Sequence, residues 1–162
     1  MLRLIKLNLY NYKLYKSLVE EWKKVEPNST FLNEVLLVEN YDDHDKIINY
    51  FIHEEKNKIH GPSLTYFLYD TKVNSFIGAF CYYPTKKEVN YLLSIIPTSN
   101  NDYKKDIFAF SLIILRGKKY KNLIIIVNNS DTALKEFIEN SSFNDFSKTP
   151  VDDRYTKYTI KI

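Results

Sequence analysis

The chain switches between two hydrophobic periods. "LRLIKLN" (Leu2 to Asn8) alternates apolar and polar and predicts a strand. Tyr12, Tyr15, Leu18, Val19 and Trp22 then recur three or four apart, the spacing of one helix face. Asn11 stands where a capping residue belongs, and Pro27 ends the pattern. A second helix is expected from Asp42 and Asp43, whose carboxylates suit a helix N-terminus, with Ile47, Ile48, Phe51 and Ile52 as its apolar face. "EEKNKIHGP" closes it, punctuated by Gly61 and Pro62. Three strand-like runs follow: Ser63 to Asp70, Phe76 to Tyr83 and Glu88 to Ile96. Their short links favour an antiparallel meander, and Gly78 marks a bulge or a close backbone approach.

The segment from Ile107 to Leu115 is apolar nearly all round, so periodicity alone does not separate helix from strand. Asp102 as a cap and Gly117 at the far end favour helix. "NLIIIV" (Asn122 to Val127) reads as a strand in a parallel pairing, buried on both faces. "SDTALKEFIEN" is a helix capped by Ser130 or Asp131. Phe143 to Phe146 and "RYTKYTIKI" supply two closing strands, the last free to pair with a second copy in a homodimer. The expected order is β-α-α-β-β-β-α-β-α-β-β. It describes a single α/β (α+β) domain over residues 1–162 with a mixed central sheet and a parallel crossover around the apolar helix.

Composition narrows this only a little. The 162 residues fit one core, and 44% hydrophobic with 27% charged residues is an ordinary globular balance. Cys81 is the sole cysteine, so no intramolecular disulfide forms and a cytoplasmic location is expected. Arg3, Lys6 and Asn8 interrupt the first apolar run, unlike a signal peptide, and no apolar stretch approaches the ~20 residues of a membrane span. A net charge of +3 with no basic stripe argues against nucleic acid as partner but permits an anionic ligand. The three histidines, His44, His53 and His60, are too scattered for a metal site. Cys81 lies mid-strand and reads as a small buried hydrophobe, and His60 as a turn residue. Tyr82 and Tyr83 can line a pocket or simply pack.

The element order resembles that of the GNAT superfamily of N-acetyltransferases over essentially the whole chain. "GPSLTYFLYD" and "FIGAFCYYP" look like the two strands that precede the family's cofactor strand. "LLSIIPT" is similar to that strand and its exit, and "TALKEFIENSSF" to the late helix. The resemblance implies a GNAT-like fold and acetyl-CoA as cofactor. It also implies transfer of an acetyl group to an amine of a small-molecule or peptide acceptor. The cofactor would lie where two parallel strands, Glu88 to Ile96 and Leu123 to Val127, splay apart. Its pantetheine arm would pair with the backbone of Leu93, Ser94 and Ile95, and its diphosphate would rest on the N-terminal amides of the next helix.

There the family pattern Q/R-x-x-G-x-G/A meets "NNDYKK" in this chain. Asn100 stands near the arginine or glutamine, and Asn101 and Tyr103 stand where the glycines belong. Asn101 tolerates a left-handed backbone, whereas Tyr103 must turn its ring away to leave the amides open. Asp102 would occupy a helix N–H and add negative charge, which Lys104 and Lys105 would offset. In the family's N-x-x-A-x-x-x-Y pattern, Asp131 takes the asparagine position, Leu134 the small residue and Ile138 the tyrosine acid. Glu88, at the start of the cofactor strand, is the carboxylate offered as base, or simply a solvated strand-end charge. The missing glycines and acid also suit another reading, a catalytically inactive GNAT-like module that binds a protein or small ligand.

Overall fold

The computed structural model describes residues 1–56, 62–99, 103–140 and 145–162. Its strands are β1 (Leu2–Ile5), β2 (Leu64–Asp70), β3 (Ser75–Pro84), β4 (Glu88–Ile95), β5 (Asn122–Asn128), β6 (Phe146–Pro150) and β7 (Tyr155–Lys161). Its helices are α1 (Tyr12–Val25), α2 (Thr30–Glu34), α3 (His44–His53), α4 (Tyr103–Arg116) and α5 (Thr132–Asn140). The sheet has seven strands in the order β1-β2-β3-β4-β5-β7-β6. β1 runs antiparallel to β2, β4 parallel to β5, and β7 antiparallel to both β5 and β6. Only Thr71 to Asn74 join β2 to β3, and only Thr85 to Lys87 join β3 to β4. Such links are too short for a crossover, so these sheet neighbours form the expected antiparallel meander.

The chain divides into two compact units, Met1–Cys81 with Leu93–Asn101, and Tyr82–Leu92 with Asp102–Ile162. In the first, Tyr15, Leu18, Val19 and Trp22 of α1 and Ile47, Ile48 and Phe51 of α3 are buried. Phe67 of β2 is the hub of their aromatic core, with ring centroids 6.0 Å from Tyr15, 5.4 Å from Phe51 and 5.0 Å from Phe76. Asp43 caps α3 by accepting from the Lys46 N–H at 3.1 Å. In the second unit, Tyr91 of β4 meets Phe108 of α4 edge-on at 5.7 Å, and Phe108 meets Phe137 of α5 at 6.3 Å. Tyr158 of β7 donates to Glu139 of α5 at 2.6 Å.

Several expectations are corrected. β1 stops at Ile5, because Asn11 folds the following turn back on itself. Its Nδ2 donates to the Lys6 carbonyl at 3.0 Å, and its Oδ1 accepts from the Asn8 N–H at 2.8 Å. Asn11 thus precedes α1 without capping it by side chain. α2 and two 3₁₀ turns (Val38–Asn40 and Glu54–Lys56) were not foreseen. α2 has five residues, too few for periodicity to register, and depends on Ser29 accepting from the Leu32 N–H at 3.4 Å. Ile52 is 52% exposed and lies off the buried face of α3. β5 buries Leu123, Ile125 and Val127 while Ile126 is 51% exposed, so it alternates and is not buried on both faces. Gly117 follows α4 without a left-handed backbone; the Lys118 N–H closes the turn on the Leu115 carbonyl at 3.0 Å. Of the strand expected at Phe143 to Phe146, residues 143 and 144 lie outside the described residues, and β6 runs from Phe146 to Pro150. β7 has β5 on one side and β6 on the other, so the pairing of β7 with a second copy is ruled out. The edge strand beside β7 is β6, which carries Lys148 and ends in Pro150, features that discourage edge pairing.

At Gly78 of β3 two backbones approach closely. A Cβ built there would meet the Ser94 carbonyl oxygen at 2.4 Å and the Ile95 Cα at 2.8 Å. Both are backbone atoms, which no rotamer change can move. Gly78→Ala should therefore force β3 and β4 apart and destabilise the protein by about 1–3 kcal/mol. Urea unfolding of the two proteins checks this, and an unchanged midpoint would show that the approach is not tight.

Candidate functional site

The site expected from the sequence begins on β4. The pairing of β4 with β5 covers Glu88 to Tyr91 against Asn122 to Ile125, and both strands continue beyond it. Cβ atoms project from the faces of a strand, not its edges. The Ser94 carbonyl at the Cβ position of Gly78 therefore lies over the face of β3. The Ile96 N–H donates to the Ile77 carbonyl at 2.8 Å and holds this approach. Leu93 and Ser94 are half-buried and Ile95 is buried.

Glu88 stands at the other end of the strand. Its backbone closes the β3–β4 turn: the carbonyl accepts from the Thr85 N–H at 2.7 Å, and its own N–H donates to Thr85 Oγ1 at 3.2 Å. Six strand residues at ~3.3 Å each put roughly 20 Å of chain between Glu88 and Ser94.

α4 opens at Tyr103, so Tyr103, Lys104 and Lys105 form its first turn, all half-buried. Asn100, Asn101 and Asp102 lie outside the described residues. Lys104 Nζ meets Asp131 Oδ2 at 3.0 Å, with side-chain exposures of 26% and 22%. Asp131 Oδ1 accepts from the Leu134 N–H at 3.2 Å and so caps α5, deciding between the two capping candidates. One carboxylate thus holds the start of α5 and the first turn of α4. Sequence reading placed Lys104 and Asp131 in the same site but did not pair them.

The remaining candidates are packed. Leu134 and Ile138 are buried, so the position of the tyrosine acid is an apolar contact inside the unit. Cys81 and Tyr82 are buried and Tyr83 is half-buried. His44 lies edge-on to Tyr12 at 4.6 Å and shares a 2.9 Å contact with Asp45, His53 ends α3, and His60 lies outside the described residues. Among the described residues no three His, Cys, Asp or Glu side chains are grouped to hold a metal. Nor is any helix there long and apolar enough to cross a membrane.

Sequence reading missed Glu54. Its run has the polarity of a solvated helix end, yet it is 3% exposed. Its Oε1 accepts from the Thr65 N–H at 2.6 Å, and its Oε2 accepts from Thr65 Oγ1 at 2.9 Å and Ser63 Oγ at 3.3 Å. Burial pushes its carboxyl up to about 7, against the opposing pull of these hydrogen bonds and of Lys6. The signal available in sequence was weak: a glutamate at a helix end, with two hydroxyl residues at the head of the next strand.

The order of elements, the mixed sheet and the parallel β4–β5 pair that stops short of the strand ends define a GNAT fold. No protein-family profile matches the chain, and no curated protein matches it significantly. Solved structures do. An N-acetyltransferase (paia) from Thermoplasma acidophilum, in complex with coenzyme A, superposes with a TM-score of 0.63 at 15% identity, over 100% of this chain and 99% of that one. The N-acetyltransferase PseH of Campylobacter jejuni, in complex with acetyl coenzyme A, gives 0.57 at 14% identity, over 99% of each chain. A GNAT-family acetyltransferase from Bacillus anthracis gives 0.60 at 10% identity, over 99% and 93%.

Two substitutions separate the roles of Asp131. Asp131→Ala removes cap and ion pair and should cost about 1 kcal/mol. Asp131→Asn keeps a capping oxygen and loses the pair, which for partly exposed charges is worth roughly 0–1 kcal/mol. Urea denaturation should therefore rank wild type and Asn close together and Ala clearly below. Equal losses in both variants would mean that the pair, and not the cap, is what matters.

Proposed function

We propose that residues 1–162 form one acetyl-CoA-dependent N-acetyltransferase domain that acetylates an amine of a small-molecule or peptide acceptor. The observation that carries this reading is the full-length sharing of a fold with N-acetyltransferases solved with coenzyme A or acetyl coenzyme A. When bound, acetyl-CoA supplies the acyl group as an activated thioester. The residues of this chain have to bind and orient it.

In this proposal Leu93, Ser94 and Ile95 offer backbone groups to the pantetheine arm. Tyr103, which opens α4, and the preceding Asn100, Asn101 and Asp102 of the sequence receive the diphosphate. Two observations support the fit. β4 continues as strand to Ile95, four residues beyond its pairing with β5 at Tyr91. The first turn of α4 combines the positive end of a helix dipole with two lysines. Lys105 is the more available of the two, because Lys104 already holds Asp131 at 3.0 Å. Asp131 therefore acts on the cofactor through Lys104, as an internal anion that the diphosphate has to outcompete. Glu88 is the carboxylate offered as base in this proposal, and Ile138 supplies no acid.

Calorimetric titration with acetyl-CoA and with CoA tests the reading. A dissociation constant below millimolar is expected, with a rise in melting temperature at excess ligand. No binding at millimolar ligand would sink the enzyme and leave a GNAT-like module that binds something else. Given binding, Lys105→Ala should weaken it about tenfold, the loss of one charge-assisted hydrogen bond of roughly 1.5 kcal/mol. Asp131→Asn should tighten binding several-fold at low salt, and the gain should shrink as salt rises. If affinity in Asp131→Asn equals that of wild type, Lys104 does not serve the cofactor.

A further inference from the structure

We infer that Glu54, Ser63 and Thr65 form a proton-controlled clasp, which locks the end of α3 to the head of β2 when Glu54 is protonated and loosens when it ionises. The inference stands on geometry and does not depend on the acetyltransferase reading. Glu54 belongs to the 3₁₀ turn after α3, and Thr65 is the second residue of β2. The clasp joins these two elements with side-chain and backbone bonds. Thr65 gives its N–H and its hydroxyl to the carboxyl group, and Ser63 gives its hydroxyl. The Ser63 N–H donates to the Glu54 carbonyl at 3.3 Å. Glu54, Ser63 and Thr65 are each no more than 3% exposed, so water does not share in these bonds.

The chemistry of the partners is what makes the site responsive. A buried carboxylate is stable when paired with a cation or surrounded by obligate donors. Here only the Thr65 N–H is an obligate donor. The two hydroxyls can rotate either to donate to a carboxylate or to accept from a carboxylic acid. Protonated, the carboxyl can give its proton to a hydroxyl and stay bonded; ionised, it is held away from bulk water with no ion-pair partner among the described residues. The surrounding charge does not fix the ionised form. Lys6, which follows β1, favours ionisation, but it sits 3.8 Å from Glu55 and over the Tyr66 ring at 5.6 Å, and it is 54% exposed. Glu55 and His53 are the other charged or titratable side chains beside Glu54 in the chain.

Burial dominates, and the Glu54 carboxyl rises from 4.5 to about 7 in the folded protein. A group raised on folding binds its proton more tightly in the folded state than in the unfolded one. Its contribution to stability is full below pH 4.5 and is lost as pH rises through about 7. Above that pH an ionised, buried Glu54 gains by reaching water. The nearest way to do so is to open the clasp, since that parts two segments and leaves the rest of the sheet intact.

The test uses the full-length protein. A carbon-13 NMR titration of the Glu54 side-chain carboxyl should give a midpoint near 7. Amide hydrogen exchange of Thr65, corrected for intrinsic base catalysis, should be tenfold or more faster at pH 8 than at pH 6. In Glu54→Gln that excess should disappear. Thr65→Val, which keeps the amide and deletes one hydroxyl donor, should move the carboxyl midpoint upward and serves if the glutamine variant does not fold. A Glu54 midpoint below 5, or corrected Thr65 exchange that does not change between pH 6 and pH 8 in the wild type, overturns the inference.

Discussion

The absence of a side chain at Gly78 is what lets β4 take its course. Backbone atoms of Ser94 and Ile95 occupy the space a Cβ would need. Any other residue would hold these atoms off the face of β3. The approach is held by the Ile96 N–H, which is bonded to the Ile77 carbonyl at 2.8 Å. Backbone polar groups that leave a ladder need other partners. The proposed function gives those of Leu93 to Ile95 such a partner in the amides of a pantetheine arm. One glycine thus sets the geometry on which the cofactor reading rests.

A second economy lies in Asp131. A helix start needs an acceptor for its first amides, and a lysine in the first turn of a neighbouring helix gains from an anion. Asp131 meets both needs with its two oxygens. In the proposed function the cost falls on the cofactor. The carboxylate that orders α5 also neutralises a lysine at the end of α4 where an anionic ligand would gather. An asparagine in that place would cap α5 equally well and leave Lys104 its charge. The substitution of aspartate for asparagine is therefore a change in electrostatics more than in structure.

How far these features were legible varies with their physical basis. Long periodic segments were plain: the faces of α1 and α3 follow from Tyr15, Leu18, Trp22, Ile47 and Phe51. Gly78 announced a close approach because a glycine weakens the interior of an alternating strand unless a bulge or a second backbone needs the space. The strand order at the C-terminus was not legible, since the alternation of "RYTKYTIKI" fits an edge strand and an inner strand alike. Nor was α2, where one serine cap outweighs five residues of weak pattern. The Lys104–Asp131 pair joins residues 27 apart, and the Glu54 cluster joins an exposed-looking polar run to a strand head. Such contacts depend on tertiary placement, and neither residue type nor spacing specifies them.

The corner between β4 and α4 lacks the glycines through which relatives would bring a diphosphate against the backbone. What it retains is charge. A phosphate held by glycine-rich amides is fixed by short, directional bonds, whereas one held by Lys104 and Lys105 is held by flexible point charges. The first arrangement resists salt and the second does not. A cofactor bound in the second way keeps its specificity only if another part of it is gripped more tightly. β4 offers that grip, because strand pairing uses backbone groups that no side-chain substitution removes. The reading of this chain as an acetyltransferase therefore rests less on the corner, where its sequence departs from the family pattern, than on the strand, where Gly78 gives the backbone its path.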